Sequence, residues 1–315
     1  MNLQDLRYLV AVDEHRHFGQ AAEACFVSQP TLSTQIRKLE GELGVTVFER
    51  APRKVIPTEA GTRIIDHARA ALAAVERIEA VAAAARDPGT ATLRIGVFPT
   101  LAPYLLPHVV PELHESFPRT ELLWVEEKTE EVVEGILEGR LDAGLLARPI
   151  DAPRLAHRDL FSEDFVLAVP AGHPLDVEGP VDATVLDGAE VLLLTEGHCL
   201  RDQALELCST VGAGERRGFR ATSLETLRQM VAAGVGVTLM PKLSVSPPVP
   251  VNDRVATVPF AGPSPHREIA MFWRPTSVYS DLLERIAEVF AGLPDVLPGE
   301  LSRPRSERFE QDASL

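Results

Sequence analysis

Several features that would place a protein outside the cytoplasm are scarce or missing in this sequence. It holds three cysteines among 315 residues, too few for the disulfide framework of a small secreted domain. No apolar run reaches the ~18 residues that a transmembrane helix needs. The first residues, Met1–Arg7, lack the basic-then-apolar order of a secretion signal. We therefore expect a cytoplasmic protein without a membrane partner.

Positive charge is also not in excess, because the net charge is −15. Such a balance excludes indiscriminate binding to nucleic acid, which requires a basic surface. Residues 1–58 hold seven Lys or Arg and seven Asp or Glu, so the whole −15 falls on residues 59–315. Any contact with DNA must therefore be made locally, within the neutral N-terminal part.

The N-terminal 58 residues contain the patterns of three short helices. Apolar residues from Leu3 to Val10 recur at helical spacing, and residues 18–25 form a second helical stretch. Ser28 suits the N-cap of a third helix that ends near Leu39, with Pro30 in its first turn. One side of this helix is apolar, and the other suits phosphates and base edges in the major groove. The candidate DNA-binding residues are Ser28, Gln29, Pro30, Thr31, Ser33, Thr34, Arg37 and Lys38.

The next segment, residues 45–58, alternates like a short hairpin with a basic tip. Arg50, Arg53 and Lys54 are the residues that a wing would bring to the adjacent DNA backbone. A solvated turn is the other interpretation, and it is the more common one for an isolated basic pair.

These motifs resemble the winged helix-turn-helix of LysR-type transcriptional regulators. The resemblance rests on Ala21-Ala22, Ser28–Ser33, Gln35-Ile36, Leu39-Glu40, Leu43-Gly44 and Phe48–Arg50. It implies a 1–58 DNA-binding domain, followed by an effector domain of two α/β subdomains of periplasmic-binding-protein type. Cys25 occupies a position that is apolar in that pattern, so we interpret it as core packing rather than as a sensor.

An alanine-rich stretch without proline, residues 59–87, predicts a long linker helix. Its apolar residues follow the four-three spacing of a coiled-coil seam, namely Ile64, Ala68, Ala71, Val75, Ile78 and Ala82. The helix either packs on its own domain or pairs with a second copy. We favour pairing, because helix-turn-helix modules act as dimers on DNA half-sites.

Residues 92–300 alternate strand and helix patterns, which predicts α/β domains with largely parallel sheets. The resemblance divides this regulatory region into subdomain I, residues 92–163 and 268–300, and subdomain II, residues 164–267. The last residues, 301–315, are polar and charged with few apolar side chains, so we expect a disordered tail.

Three residues follow predicted strands at the edge where open α/β sheets bind ligands, namely Thr100, Thr129 and Cys199. A threonine at such a point is more often a helix cap than a ligand. Convergence of both threonines with Cys199 on one cleft would reverse that preference.

Cys199 and Cys208, separated by eight residues, are the most informative pair in the chain. His198 and Arg201, together with a helix N-terminus, would lower the thiol pKa of Cys199, whereas Asp202 opposes this. Burial of both cysteines in an apolar core is the alternative. In one continuous helix their Cα atoms would lie ~13.5 Å apart, and a disulfide needs about 7 Å or less. Joining them would therefore force the segment to unwind.

Nearly from end to end, the chain also resembles the peroxide-sensing members of the LysR-type family, over residues 14–18 of the DNA-binding domain and 103–107, 196–203 and 220–227 of the regulatory region. This resemblance implies that hydrogen peroxide oxidises Cys199 and that Cys208 resolves the product as a disulfide. The altered oligomer, a homotetramer, would then activate or repress oxidative-stress genes. Peroxide binding and activation would involve Thr100, Thr129, His198, Arg201, Asp202 and Arg267.

Two other functions remain open. A LysR-type regulator of a small organic ligand would be indifferent to Cys199→Ser. A thiol peroxidase would share the first chemical step but would have no use for the DNA-reading helix. The cysteines lack the paired spacing of zinc sites, so we expect neither a metal nor another cofactor. The expected partners are promoter DNA, hydrogen peroxide, further copies of the chain, RNA polymerase and a thiol reductant such as glutaredoxin or thioredoxin.

Overall fold

A computed structural model describes residues 1–51, 54–86, 91–262, 264–297, 299 and 301–304. Two compact units make up this part of the chain, and the first ends with the helix Glu59–Arg86. None of the described helices is long and apolar enough to span a membrane.

The first unit is a helical module with a two-stranded hairpin and a long final helix. Its elements are α1 (Leu3–His15), α2 (Phe18–Ala24), α3 (Gln29–Leu43), β1 (Phe48–Ala51), β2 (Lys54–Pro57) and α4 (Glu59–Arg86). Asn2 and Asp5 form a capping box at the start of α1. Gly44 ends α3 with φ of 71°, a conformation that favours glycine. Leu32 and Ile36 of α3 lie fully buried in the core.

The second unit alternates strands and helices, as the sequence predicts. Its elements are β3 (Ala91–Val97), α5 (Ala102–Ser116), β4 (Thr120–Glu126), α6 (Thr129–Glu138), β5 (Ala143–Arg148), β6 (Ala156–Pro170), β7 (Glu190–Leu194), α7 (Cys199–Val211), β8 (Gly214–Ala221), α8 (Leu224–Ala232), β9 (Thr238–Pro241), β10 (Val255–Pro259), β11 (His266–Trp273), α9 (Ser280–Ala291), α10 (Leu293–Val296) and β12 (Leu301–Ser302).

The main sheet is mixed, which corrects the expectation of largely parallel sheets. It has the strand order β10-β6-β11-β5-β3-β4, and β9 and β12 also pair with β6. Strand β3 runs parallel to β4 and β5, and β7 runs parallel to β8. Every described pairing of β6 and β11 is antiparallel, both with each other and with the other strands of the sheet.

Strand β6 changes partners along its length. Residues 156–164 pair with β11, and residues 165–170 pair with β9 and β10. The expected boundary between the two subdomains, at residues 163 and 164, lies at this change of partner. The subdomain ranges themselves stay a prediction.

Helix α6 packs closely on the parallel part of the sheet. A Cβ atom on Gly96 of β3 would lie 2.7 Å from Cγ1 of Val132 on α6, so no larger residue fits there without movement. This close contact fixes the N-terminal end of α6, where Thr129 lies.

The expected tail begins later than residue 301. Leu301 and Ser302 form β12 against β6, and Leu301 is only 5% exposed. The burial of this one apolar side chain corrects the prediction at these two residues. Residues 305–315 lie outside the described part of the chain.

Candidate functional site

Arg267 on β11 is the centre of a buried polar network. It is 1% exposed, and its Nε donates a hydrogen bond to Oε2 of Glu163 at 2.8 Å. The two residues are direct partners in the β6–β11 register. Its Nη1 and Nη2 donate to the hydroxyl and the carbonyl of Thr100, at 3.0 and 3.1 Å. One guanidinium therefore joins a crossing strand to the loop that follows β3.

Two further contacts complete this network. The other carboxylate oxygen of Glu163 accepts a hydrogen bond from the N–H of Leu243 at 2.9 Å. The guanidinium carbon of Arg267 lies 5.1 Å from the centre of the Phe98 ring. A buried ion pair whose hydrogen bonds are satisfied keeps its charges in place. The positive charge of Arg267 is thus fixed in a site from which water is excluded.

Cys199 is the first residue of α7, and its side chain is half-buried. Burial raises the pKa of its thiol, and this outweighs the lowering by the Arg267 charge, the Thr129 side chain and the Leu200 backbone N–H. The net pKa lies above the ordinary value for cysteine. The expectation of a lowered pKa is therefore wrong, because loss of solvent is the larger effect.

Thr129 begins α6, where a capping role was the more common expectation. Its buried Oγ1 makes no hydrogen bond of normal geometry with any described residue. A buried hydroxyl whose interaction is with the neighbouring thiol alone keeps unused hydrogen-bonding capacity, so it is available to a small polar ligand. Thr129 and Arg267 both act on the Cys199 thiol, and Arg267 also binds Thr100. Arg267 therefore links Thr100 to the surroundings of the thiol, and convergence of both threonines with Cys199 on one cleft stays a prediction.

His198 precedes α7 and is 6% exposed. Burial lowers the pKa of its imidazole, and the nearby positive charge of Lys128 lowers it further. The ring is therefore neutral at physiological pH. His198 does not supply the positive charge that we expected beside Cys199.

Arg201 has a structural partner rather than a free charge. Its guanidinium donates two hydrogen bonds to Glu215, at 2.9 and 2.8 Å, and one to the carbonyl of Leu194 at 3.0 Å. These bonds hold α7 to β7 and β8. Glu215 neutralises the charge of Arg201, so Arg201 does not have its predicted role in lowering the pKa of Cys199. The cation that lowers this pKa is Arg267. Asp202 is exposed, and its charge raises the pKa of Cys199 as expected.

Cys208 lies on the other side of α7 from Cys199. The helix is continuous from Cys199 to Val211, so nine residues correspond to about two and a half turns, opposite faces and ~13.5 Å between Cα atoms. Cys208 is 2% exposed and packs in an apolar cluster with Leu193 and Phe260. Burial raises the pKa of its thiol. Both thiols are free in this structure.

The candidate DNA-reading face lies on α3. The Ser28 hydroxyl caps the helix by accepting a hydrogen bond from the Thr31 N–H at 3.3 Å. Ser33 is half-buried and accepts from Nη2 of Arg37 at 3.2 Å. The exposed members of the predicted set are Ser28, Gln29, Pro30, Thr31, Thr34, Arg37 and Lys38.

The predicted wing is partly described. Strands β1 and β2 pair antiparallel, as a wing requires. Arg53 and the side chains of Arg50 and Lys54 lie outside the described part of the chain. Cys25 is half-buried against the core of the first unit, and burial raises the pKa of its thiol.

The apolar seam of α4 is divided between two environments. Ala68 is 2% exposed, and Ile64 and Ala71 pack against the core of the same unit. Ile78, two turns further along, is 69% exposed. The first half of the helix packs on its own domain, because α1 covers that face, and pairing with a second copy stays a prediction.

Two site residues escaped the sequence reasoning. Glu163 pairs with Arg267, and Glu215 pairs with Arg201. A signal existed for Glu163, since it lies in a strand between Phe161 and Phe165, where an unpaired carboxylate would be costly. The partner strand, which is 104 residues away, could not be read from the local pattern.

Comparisons with known proteins point in one direction. Residues 3–62 match the model of the bacterial regulatory helix-turn-helix protein, lysR family, and residues 86–293 match the LysR substrate binding domain. The chain is 45% identical over 295 residues to the DNA-binding transcriptional dual regulator OxyR of Escherichia coli strain K12, which covers 94% of this chain and 96% of that protein.

Two solved structures are similar over most of their length. A full-length OxyR variant from Pseudomonas aeruginosa is 37% identical with a TM-score of 0.71, covering 92% of this chain and 94% of that one. A mutant of Corynebacterium glutamicum OxyR with hydrogen peroxide bound is 33% identical with a TM-score of 0.63, covering 92% and 91%.

Proposed function

The chain belongs to the LysR family of bacterial transcriptional regulators, and we propose that it is a peroxide-responsive regulator of the OxyR kind. One observation carries the proposal. The half-buried thiol of Cys199 lies within the influence of Arg267 and Thr129, and one helix joins it to a second thiol, Cys208. A regulator that only bound an organic ligand would need neither thiol.

Oxidation of Cys199 is the proposed first step. The thiolate attacks one oxygen of hydrogen peroxide, so an S–O bond forms as the O–O bond breaks. The departing hydroxide combines with the proton released by the thiol and leaves as water. Sulfur loses two electrons and the peroxide gains them. Arg267 would stabilise the thiolate, and the hydroxyls of Thr100 and Thr129 would orient the O–O bond in line with sulfur.

Disulfide formation is the proposed second step. The sulfur of Cys208 attacks the sulfenic sulfur of Cys199, an S–S bond forms, and the hydroxyl leaves as water with the Cys208 proton. Two residues on opposite faces of one helix cannot be joined while the helix is intact. The step would therefore unwind α7, detach Cys208 from its apolar cluster and change the surface of the regulatory unit.

Promoter DNA is the proposed macromolecular partner, and it would bind the exposed polar residues of α3. We place the protein in the cytoplasm, as a stoichiometric sensor rather than an enzyme. A homotetramer, a dimer of dimers, would use the exposed end of α4 around Ile78. RNA polymerase and a thiol reductant such as glutaredoxin or thioredoxin would be further partners. Disulfide formation in the regulatory unit would alter the tetramer, and with it the DNA contacts.

Peptide mass spectrometry of the reduced full-length protein, titrated with hydrogen peroxide, tests this function. We expect a Cys199–Cys208 disulfide near one equivalent, none in Cys199→Ser, and an unchanged result in the control Cys25→Ser. DNA footprints of the two redox forms should then differ. Thiols that stay reduced at several equivalents would favour a regulator of an organic ligand. Sustained peroxide turnover with a thiol reductant would favour a thiol peroxidase.

A further inference from the structure

A cavity of about 420 Å³ lies between α7 and the crossing strands. One wall comes from Gln203, Glu206 and Leu207 of α7. The other includes Arg148 at the end of β5, Phe165 of β6 and Glu268 of β11. A volume of this size is typical of sites for small organic molecules.

The cavity is separate from the cysteine site but is built on the same two elements. Side chains alternate along β11, so Glu268 projects from the opposite face of the strand to Arg267. On α7, Gln203 and Glu206 lie within about 40° of Cys199 around the helix axis. A ligand in the cavity would therefore contact the helix that carries both cysteines without occupying the peroxide site.

Two basic side chains, Arg148 and His266, also line the cavity, and both have carboxylate partners, since Nε2 of His266 lies 3.3 Å from Oε1 of Glu268. The polar groups that remain favour a positively charged hydrogen-bond donor. Oε1 of Gln203 is buried and has no hydrogen-bond partner among the described residues. Glu206 offers an exposed carboxylate. The charge of Arg148 is already compensated, because its Nη1 lies 2.8 Å from both carboxylate oxygens of Asp159. Apolar surface comes from Leu207 and Phe165, so the ligand should also have an apolar body.

We propose that this cavity binds a small organic ammonium ion with an apolar body, and that its occupancy opposes oxidation of the cysteine pair. This inference rests on the proposed function. The α7 wall exists only while residues 199–208 are helical, whereas the disulfide requires them to unwind. A ligand that binds the helical form more tightly shifts the equilibrium towards that form, and reduction must in turn tighten binding of the ligand.

Direct binding is the first test, with benzylamine as the probe on the reduced full-length protein and titration calorimetry as the readout. We expect saturable binding that is at least fivefold tighter than for the neutral benzyl alcohol or the anionic benzoate. Gln203→Leu and the exposed Glu206→Gln should each weaken benzylamine at least fivefold. The matched control Glu178→Gln, in an exposed turn, should not. The proposed site would be overturned if benzyl alcohol bound as tightly as benzylamine, or if Glu178→Gln weakened benzylamine as much as Glu206→Gln does.

The coupling is tested by the rate at which one equivalent of hydrogen peroxide forms the Cys199–Cys208 disulfide. Saturating benzylamine should slow that rate at least threefold in the unaltered protein, and in Glu206→Gln the same slowing should require at least fivefold more benzylamine. An unchanged rate at saturation would overturn the coupling. If no disulfide forms with or without benzylamine, the proposed function and the coupling both fall. The calorimetry, which uses no peroxide, still decides whether the cavity is a site.

Discussion

Arg267 and Thr100 are joined by a hydrogen bond of 3.0 Å between Nη1 and Oγ1, although 167 residues separate them in the chain. The bond ties the loop after β3 to strand β11. The charge of the same guanidinium acts to lower the pKa of the Cys199 thiol, so the position of this cation beside Cys199 depends on a loop that is distant in the chain.

Arg267→Met should damage both reactivity and stability. Loss of the cation raises the pKa of Cys199 further, so disulfide formation should slow by about tenfold or more. It also leaves Glu163 buried and unpaired, which costs about 3–5 kcal/mol of unfolding free energy. Urea denaturation and stopped-flow oxidation measure the two effects. The double variant Arg267→Met with Glu163→Met should regain most of the stability but none of the rate. A double variant that oxidises normally would contradict the role of Arg267.

The oxidation rate should rise with pH across the neutral range. Only the thiolate reacts, and burial holds the pKa of Cys199 above its ordinary value. Below that pKa the thiolate fraction grows by nearly tenfold for each pH unit, so no plateau is expected below about pH 8.5. The pH dependence of Cys199 alkylation by iodoacetamide, followed in Cys25→Ser with Cys208→Ser, measures this. A plateau near pH 6 would show that the thiol is already ionised.

Raised cysteine pKa values also have a consequence for stability. The folded state favours the neutral thiols of Cys199 and Cys208. Their stabilising effect is complete below the pKa of the unfolded chain, about 8.5, and is lost as pH rises through the higher folded values. The free energy of unfolding of the reduced protein should therefore fall above about pH 8.5. Cys208→Ala should reduce that fall, as measured by urea denaturation at several pH values.

Glu215→Gln should loosen α7 without changing the chemistry of Cys199. The substitution weakens a partly buried, two-bond contact with Arg201, and we expect a loss of about 1–2 kcal/mol in unfolding free energy. The alkylation pH profile of Cys199 should stay the same. A shifted profile would mean that Arg201, rather than Arg267, controls the thiol.

The same carboxylate predicts an acid dependence. The Arg201 guanidinium lowers the pKa of Glu215, so the stabilisation is present above the unfolded pKa of about 4.3 and is lost as pH falls towards the lower folded value. The loss of stability between about pH 4.5 and 3 should therefore be smaller in Glu215→Gln than in the unaltered protein.

Ser28 offers a way to separate folding from DNA binding. Ser28→Ala removes the N-cap of α3 and should cost about 1 kcal/mol of stability. Ser28→Asp keeps a capping oxygen but adds negative charge where phosphate is expected. It should fold like the unaltered protein and bind promoter DNA at least tenfold more weakly, as measured by fluorescence anisotropy. If Ser28→Asp bound DNA as tightly as the unaltered protein, this end of α3 would not be part of the DNA interface.

The sequence predicts local structure better than long-range pairing. Ser28 as a cap and the helix that starts at Cys199 follow from short patterns. The pairing of Arg267 with Glu163 depends on which strands cross, and the pairing of Arg201 with Glu215 depends on how β8 returns beside α7. The predicted direction of the Cys199 pKa shift is wrong, because burial raises the pKa by more than nearby charge lowers it. Burial of this residue cannot be read from its neighbours in the chain.

The placement of the two cysteines on opposite faces of α7 also bears on how the oxidised state would end. Unwinding the helix costs free energy, and this cost is part of the free energy of the oxidised state. The disulfide would therefore have a higher reduction potential than an unstrained bond. Refolding of α7 would return that free energy when the bond is cleaved. Refolding of the helix would therefore favour reduction of the disulfide, and the oxidised state would be short-lived once peroxide is consumed.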